Sequence, residues 1–259
     1  SAHVGAITAV MTAIGIGWGL TWIGYAGDYS RFVSRDVPSR KLFLASALGQ
    51  FIPVVWLGVL GASLATLSDS ADPGEIIVDA YGVLALPVLL LVIHGPLATN
   101  ILNIYTCTVS TQALDIRVDR RVLNLIIGVV AMAVVVYFVL NSDFATTIDF
   151  WLVSIVGWLS PWGSVVLVHW FLIARQQIDA ESLFATPADS VLPMVRPTAL
   201  VALALGVTAT WMFMYGMLPV LQGPVAVALG GIDLSWLAGA VVAGTSYWAM
   251  EKLTAPRAA

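Results

Sequence analysis

A chain of 259 residues with 59% hydrophobic and only 10% charged positions, and a mean hydropathy of +0.94, has more apolar surface than a soluble core of this length can hide. It reads as an all-α polytopic membrane protein, which excludes a secreted soluble domain, and its one cysteine, Cys107, excludes an intrachain disulfide framework. The formal net charge of -4 says little by itself, because in a membrane protein the placement of charge along the chain carries the information.

At about 20 apolar residues per crossing, the sequence supplies seven spans, at residues 4–25, 42–67, 83–114, 122–140, 150–174, 197–221 and 234–250. The third is too long for one straight crossing and is expected to tilt, to bend at Gly95-Pro96 or to continue beyond the bilayer. Every Lys and Arg follows an odd-numbered span: Arg31, Arg35, Arg40 and Lys41; Arg117, Arg120 and Arg121; Arg175 and Arg196; Lys252 and Arg257. The loops at the opposite ends, which carry Asp69, Asp72, Glu75, Asp79 and Asp233, hold no base. The positive-inside rule therefore runs the first span from outside to inside and leaves the C-terminus in the cytoplasm. The chain starts at Ser1 and enters apolar sequence almost at once without a cleavable signal pattern, so further N-terminal sequence is expected.

The first span is interrupted by Gly15, Gly17, Gly19, Gly24 and Gly27 before the charged exit Asp28-Tyr29-Ser30-Arg31-Phe32. Each glycine weakens a helix by up to about 1 kcal/mol relative to alanine, and an unwound backbone is tolerated in a bilayer only where it lines a cavity. The span is read as a broken helix and its break as a binding-site candidate. Trp18 and Trp22 flank it with faces on which a flat ring can stack, while carbonyls and amides beside Gly17 and Gly19 meet the polar edge of such a ring. Asp28 is three residues from Arg31, so the two either pair on one helical face or reach separately to water. After the second span, residues 68–82 form a short external helix, a lid over the entrance or a solvated loop, and the loop is favoured.

An ionisable group inside a span costs roughly 2.5 to 3.5 kcal/mol near the helix centre, so the third span deserves scrutiny. His94 precedes the Gly95-Pro96 bend and serves either as a proton carrier or as a neutral histidine bonded to the backbone. Asn100 and Asn103 share a helical face, and each offers the donor and acceptor that match an amide-like ring edge; a polar ladder between packed helices is the reading that the two residues alone favour. Gly95, Ala98 and Thr99 share a face with oxygens suited to a small hard cation such as sodium. The fifth span carries a kink signal at Trp158-Leu159-Ser160-Pro161-Trp162-Gly163 and an interfacial His169 near its cytoplasmic end. Residues 176–196, with Pro187 and Pro193, read as a cytoplasmic linker. Gly206, Thr208 and Thr210, then Gly239, Gly244, Thr245 and Ser246, suit close helix packing in the last two spans.

The run Gly-Trp-Gly-Leu-Thr-Trp-Ile-Gly-Tyr-Ala-Gly-Asp-Tyr-Ser-Arg-Phe at residues 17–32 resembles the sixth transmembrane helix of the nucleobase:cation symporter family, the purine and cytosine permeases. Ala98-Thr99-Asn100-Ile101-Leu102-Asn103-Ile104-Tyr105 resembles that family's eighth helix. The resemblance implies a LeuT-type fold of five plus five helices in inverted repeat with two further helices. Residues 1–175 are then the second repeat, 176–196 a linker, and 197–259 two accessory helices with a short tail. It implies a multi-pass plasma-membrane protein that imports a nucleobase or related heterocycle (cytosine, a purine, uracil, allantoin or a hydantoin) with sodium or a proton. Trp18, Gly19, Trp22, Asn100 and Asn103 would line the substrate site, and Gly95, Ala98 and Thr99 a possible sodium site that five absent N-terminal helices complete. Ala98 stands where a hydroxyl residue is common in the family, which weighs against sodium, and His94 is the candidate if a proton couples instead.

Other classes fit less well. A retinal protein needs a lysine inside the last span, and Lys252 follows it; Gly163-Ser164 lacks the glycine of a nucleophile turn, and no zinc-protease motif occurs, so no enzyme is expected. The alternative is a truncated membrane protein that does not transport but packs against a partner. The expected partners are the bilayer and a small heterocycle, with no nucleic acid and no cofactor beyond the coupling ion.

Overall fold

The structure is a computed structural model that describes residues 2–254 less 69, 71, 114–117, 142–143, 178, 186–189, 191 and 194; at a few helical positions, Trp18 among them, only the backbone is described. Among these residues the chain is helical, with one isolated antiparallel bridge between Tyr215 and Gln222. The elements are α1 (Ala2–Val10), a π-helical segment (Met11–Trp18), α2 (Gly19–Ser30), α3 (Ser39–Leu64), α4 (Pro73–Tyr81), a 3-10 turn (Gly82–Leu84), α5 (Ala85–Ala113) and α6 (Arg120–Asn141). They continue with α7 (Phe144–Val168), a second π segment (His169–Ile173), α8 (Ala180–Phe184), α9 (Pro197–Phe213), a 3-10 turn (Pro219–Leu221), α10 (Pro224–Ala228) and α11 (Ser235–Thr254).

Among the described residues five helical stretches are long and apolar enough to cross a membrane: His3–Asp28, Ser39–Leu64, Pro73–Gln112, Arg120–Leu140 and Thr146–Ile173. The expected seven spans are thus five by length and composition. The sixth ends at Phe213, and at 17 residues α9 is about 26 Å long, short of the roughly 30 Å hydrocarbon core. Beyond it the chain turns through the bridged loop. In α11 the small polar residues and the terminal Glu251-Lys252 dilute the apolar run.

Contacts divide the chain into two compact units, residues 1–24 with 148–259 and residues 25–147. A repeat is defined by internal symmetry rather than by packing, so this division describes a different property from a boundary at residue 175.

In the first unit α9 and α11 form the most extensive helix pair. The cause is the small residues: a Cβ on Gly206 would stand 2.6 Å from Cβ of Ala243 and 2.8 Å from Cβ of Pro161, so only glycine lets α7, α9 and α11 approach this closely. The hydroxyls of Ser160 and Ser164 on α7 donate to the carbonyls of Trp236 (2.6 Å) and Ala240 (2.7 Å) on α11. Pro161 lies buried inside α7, which continues unbroken to Val168. Ala13, Val153, Met214 and Leu221 make a small apolar core, with Phe150, Leu152 and Leu218 packed on it.

The first span is not unwound as expected. The helix stays closed through the glycines but widens to π over Met11–Trp18, a change that adds a residue to the turn without releasing the backbone. At Gly17 the reason for glycine is contact, since a Cβ would stand 2.7 Å from the Leu152 carbonyl oxygen.

In the second unit, α3 runs through Pro53 and α5 through Pro96, so Gly95-Pro96 does not break the third span. Residues 68–82 are not the favoured loop but contain α4, whose N-terminus is capped by Asp72; its Oδ1 accepts from the amides of Gly74 (2.7 Å) and Glu75 (3.1 Å). The signal was present as Asp72-Pro73 followed by Glu75, a cap with proline at the first helical position. Within residues 176–196, α8 is capped by Asp179, whose carboxyl is held below the usual carboxylate range by the hydroxyl and amide of Ser182.

Candidate substrate and ion site

The predicted site residues are divided between the two units. In the first, Trp18 closes the π segment, and its side chain lies outside the described residues. Gly19 opens α2, and a Cβ there would meet nothing within 4 Å, so this turn has room beside it. Trp22, one turn on, is half-buried.

In the second unit, α5 carries His94, Gly95, Ala98, Thr99 and Asn100, all exposed, and the half-buried Asn103. The asparagines are brought together: Asn103 Nδ2 donates to Asn100 Oδ1 at 3.4 Å. That bond uses neither the Asn100 amide nitrogen, with its two N–H donors, nor the Asn103 carbonyl oxygen, the donor and acceptor types that an amide edge requires. Thr99 Oγ1 donates to the Gly95 carbonyl at 3.1 Å. Two of the proposed cation oxygens are therefore adjacent, within a helix that stays α-helical. Pro96 lacks an N–H and so withholds a helical bond from the carbonyl four residues before it, Val92.

Asp28 does not pair with Arg31. Its Oδ2 accepts from Thr106 Oγ1 of α5 at 2.7 Å, while the Arg31 guanidinium lies 4.8 Å from the Phe32 ring centroid and 5.4 Å from that of Tyr105, within the roughly 6 Å reach of a cation–π contact. One turn beyond the asparagines, an open groove of about 440 Å³ runs between α5 and α6, lined by Ile101, Ile104, Tyr105, Thr108, Val109, Arg120 and Asn124. On its floor the one proton of the buried Thr108 hydroxyl is shared between the Asn124 side-chain oxygen and the Ile104 carbonyl.

The polar group that sequence reasoning missed is Asp233, fully buried at 0% exposure. Its Oδ1 accepts from Thr12 Oγ1 (3.1 Å), Ser235 N (2.9 Å) and Ser235 Oγ (2.6 Å), its Oδ2 from Tyr215 N (2.7 Å), and its amide donates to Thr8 Oγ1 (3.1 Å). Nothing in the local sequence marks it beyond an acid two residues before a helix start. Asp149 Oδ2 likewise accepts from the Met217 amide at 2.7 Å.

Against known proteins, residues 2–239 match the family model described as a permease for cytosine/purines, uracil, thiamine and allantoin. YxlA of Bacillus subtilis, named for the purine-cytosine permeases, is 27% identical over 255 residues, covering 95% of this chain and 54% of that protein. The purine-cytosine permease fcyB of Emericella nidulans is 25% identical over 68% of this chain and 37% of its own length. The vitamin B6 transporter TPN1 of Saccharomyces cerevisiae is 22% identical over 54% of this chain and 27% of its own. The chain thus spans about half, or less, of the length of these relatives. No solved structure gives a significant match.

Proposed function

The chain belongs to the family of permeases for cytosine/purines, uracil, thiamine and allantoin, and on that premise we propose that it is part of a secondary active transporter importing a nucleobase or related heterocycle by cation symport. The observation that carries this reading is the extent of the family match, which runs through both the glycine-rich first helix and α5. These are the two elements with groups suited to a flat, amide-edged ring. The relatives named for purine-cytosine and vitamin B6 transport carry small flat rings, in keeping with such a site.

On this reading Trp18 and Trp22 supply ring faces, Gly19 the space beside them, and Asn100 and Asn103 the hydrogen bonds to the ring edge. The coupling ion is either sodium, at Gly95, Ala98 and Thr99, or a proton, at His94. The fold is the second repeat of a LeuT-type core plus two helices, in the plasma membrane with a cytoplasmic C-terminus, and the opposite wall comes from five N-terminal helices of the same transporter. Uptake of radiolabelled cytosine, uracil, hypoxanthine and allantoin by cells expressing the full-length protein, with and without sodium and with an imposed pH gradient, tests it. Saturable uptake of one of them, driven by either gradient, is expected; no uptake above the empty-vector control for any of the four overturns it.

A further inference from the structure

The outer half of the first helix is anchored by segments distant along the chain. Along the anchored half, Gly5 packs against the backbone of Gly230 and Gly231, Thr8 and Thr12 bond to Asp233, and Gly17 packs against the Leu152 carbonyl. Beside the glycines that follow there is open space: added methyls at Gly19, Gly24 and Gly27 would meet nothing within 4 Å. Gly230 and Gly231 hold φ values of 75° and 84°, a left-handed backbone that favours glycine and turns the chain so that Asp233 faces the helix. A single carboxylate joins three segments at once: the π segment through Thr12, the loop after α9 through the Tyr215 amide, and the start of α11 through Ser235. A fully buried carboxylate is retained only if its oxygens are filled with donors, and these donors come from three segments, so the carboxylate adds a polar tie to the apolar core that Ala13 shares with Met214 and Leu221.

We propose that Asp233 is a positioning residue for transport, which fixes the outer half of the first helix to the 214–235 segment so that the turn from Gly19 to Trp22 is presented to substrate from a stationary base. This rests on the reading of that turn as part of the substrate site. The consequence is specific. If the base loosens, a smaller fraction of molecules holds the binding-competent geometry, and apparent affinity falls by that fraction, while the rate of the occupied transporter is unchanged. A residue that merely supports the fold lowers the amount of active protein and hence the maximal rate, with KM unaltered.

The experiment compares Thr12→Val, Thr12→Ser and Asp233→Asn in the full-length protein. Thr12→Val is close to isosteric and removes one of four donors to the carboxylate, so the chain still folds. Uptake of whichever of radiolabelled cytosine, uracil, hypoxanthine or allantoin the wild type carries should show KM raised about tenfold for Thr12→Val, the scale of one hydrogen bond to a charged group. Its maximal rate per surface molecule should stay within about twofold, and Thr12→Ser should restore KM. Hydrogen–deuterium exchange of the purified protein should accelerate in peptides covering residues 5–18 in Thr12→Val and Asp233→Asn, and not in those covering 39–64. A wild type that carries none of the four substrates defeats the transport reading, and the exchange arm then decides whether the anchor exists. Unchanged exchange at residues 5–18, or a fall in maximal rate with KM unaltered, overturns the proposal.

Discussion

His169 Nδ1 and the Tyr247 hydroxyl stand 2.8 Å apart, joining the π segment that ends α7 to the last turns of α11. The histidine read from sequence as interfacial is therefore part of a helix–helix bond, and Tyr247 is only 1% exposed. Tyr247→Phe keeps the ring's packing and removes the bond, which should cost about 1 kcal/mol. A thermal-unfolding midpoint in detergent equal to that of the wild type would show that the contact contributes nothing.

Gly17 and Gly19, two residues apart, should respond to alanine with opposite signs. At Gly17 the methyl meets a backbone carbonyl at 2.7 Å, which cannot swing away, so overpacking should cost about 1–3 kcal/mol. At Gly19 there is nothing to meet, and helix propensity should favour alanine by up to about 1 kcal/mol. Paired thermal midpoints of the two variants check this.

Gly206→Ala should force α9 away from Ala243 and Pro161 at a cost of about 1–3 kcal/mol. Because Ala243 is the closest neighbour, the double variant Gly206→Ala with Ala243→Gly should recover part of the loss. Strict additivity of the two single changes, measured in the same unfolding assay, would place the strain elsewhere.

Asn100→Ala in the full-length protein should weaken substrate binding by about 1–3 kcal/mol, since it removes both a ring-edge contact and the acceptor that orients Asn103. Competition binding with unlabelled substrate reads this directly, and unchanged affinity in a folded variant removes Asn100 from the site.

Thr99→Ala should abolish any sodium stimulation of uptake, and Thr99→Ser should keep it, because the hydroxyl that lies against the Gly95 carbonyl is the side-chain oxygen of the proposed ligand set. Uptake driven by a pH gradient and indifferent to sodium would shift attention to His94.

Much was legible in the sequence because it depends on local or averaged properties. Apolar runs of about 20 residues locate the first five crossings, since the bilayer imposes the length. The family was legible through two short runs, residues 17–32 and 98–105. The pairing of Asn100 with Asn103 follows from a spacing of three on one helix.

What the sequence left open was decided by neighbours far away along the chain. Five glycines suggest a break when counted alone; Gly17 is instead a contact with Leu152, and the helix remains closed as a π segment. Asp28 has Arg31 three residues away, yet its partner is Thr106, 78 positions distant. Asp233 reads as an ordinary loop acid until Thr12, 221 positions away, and the Tyr215 amide surround it. A side chain's chemistry is written in its residue type, but burial and hydrogen-bond partners belong to whatever the fold brings against it, and a spacing rule extends no further than the helix it describes.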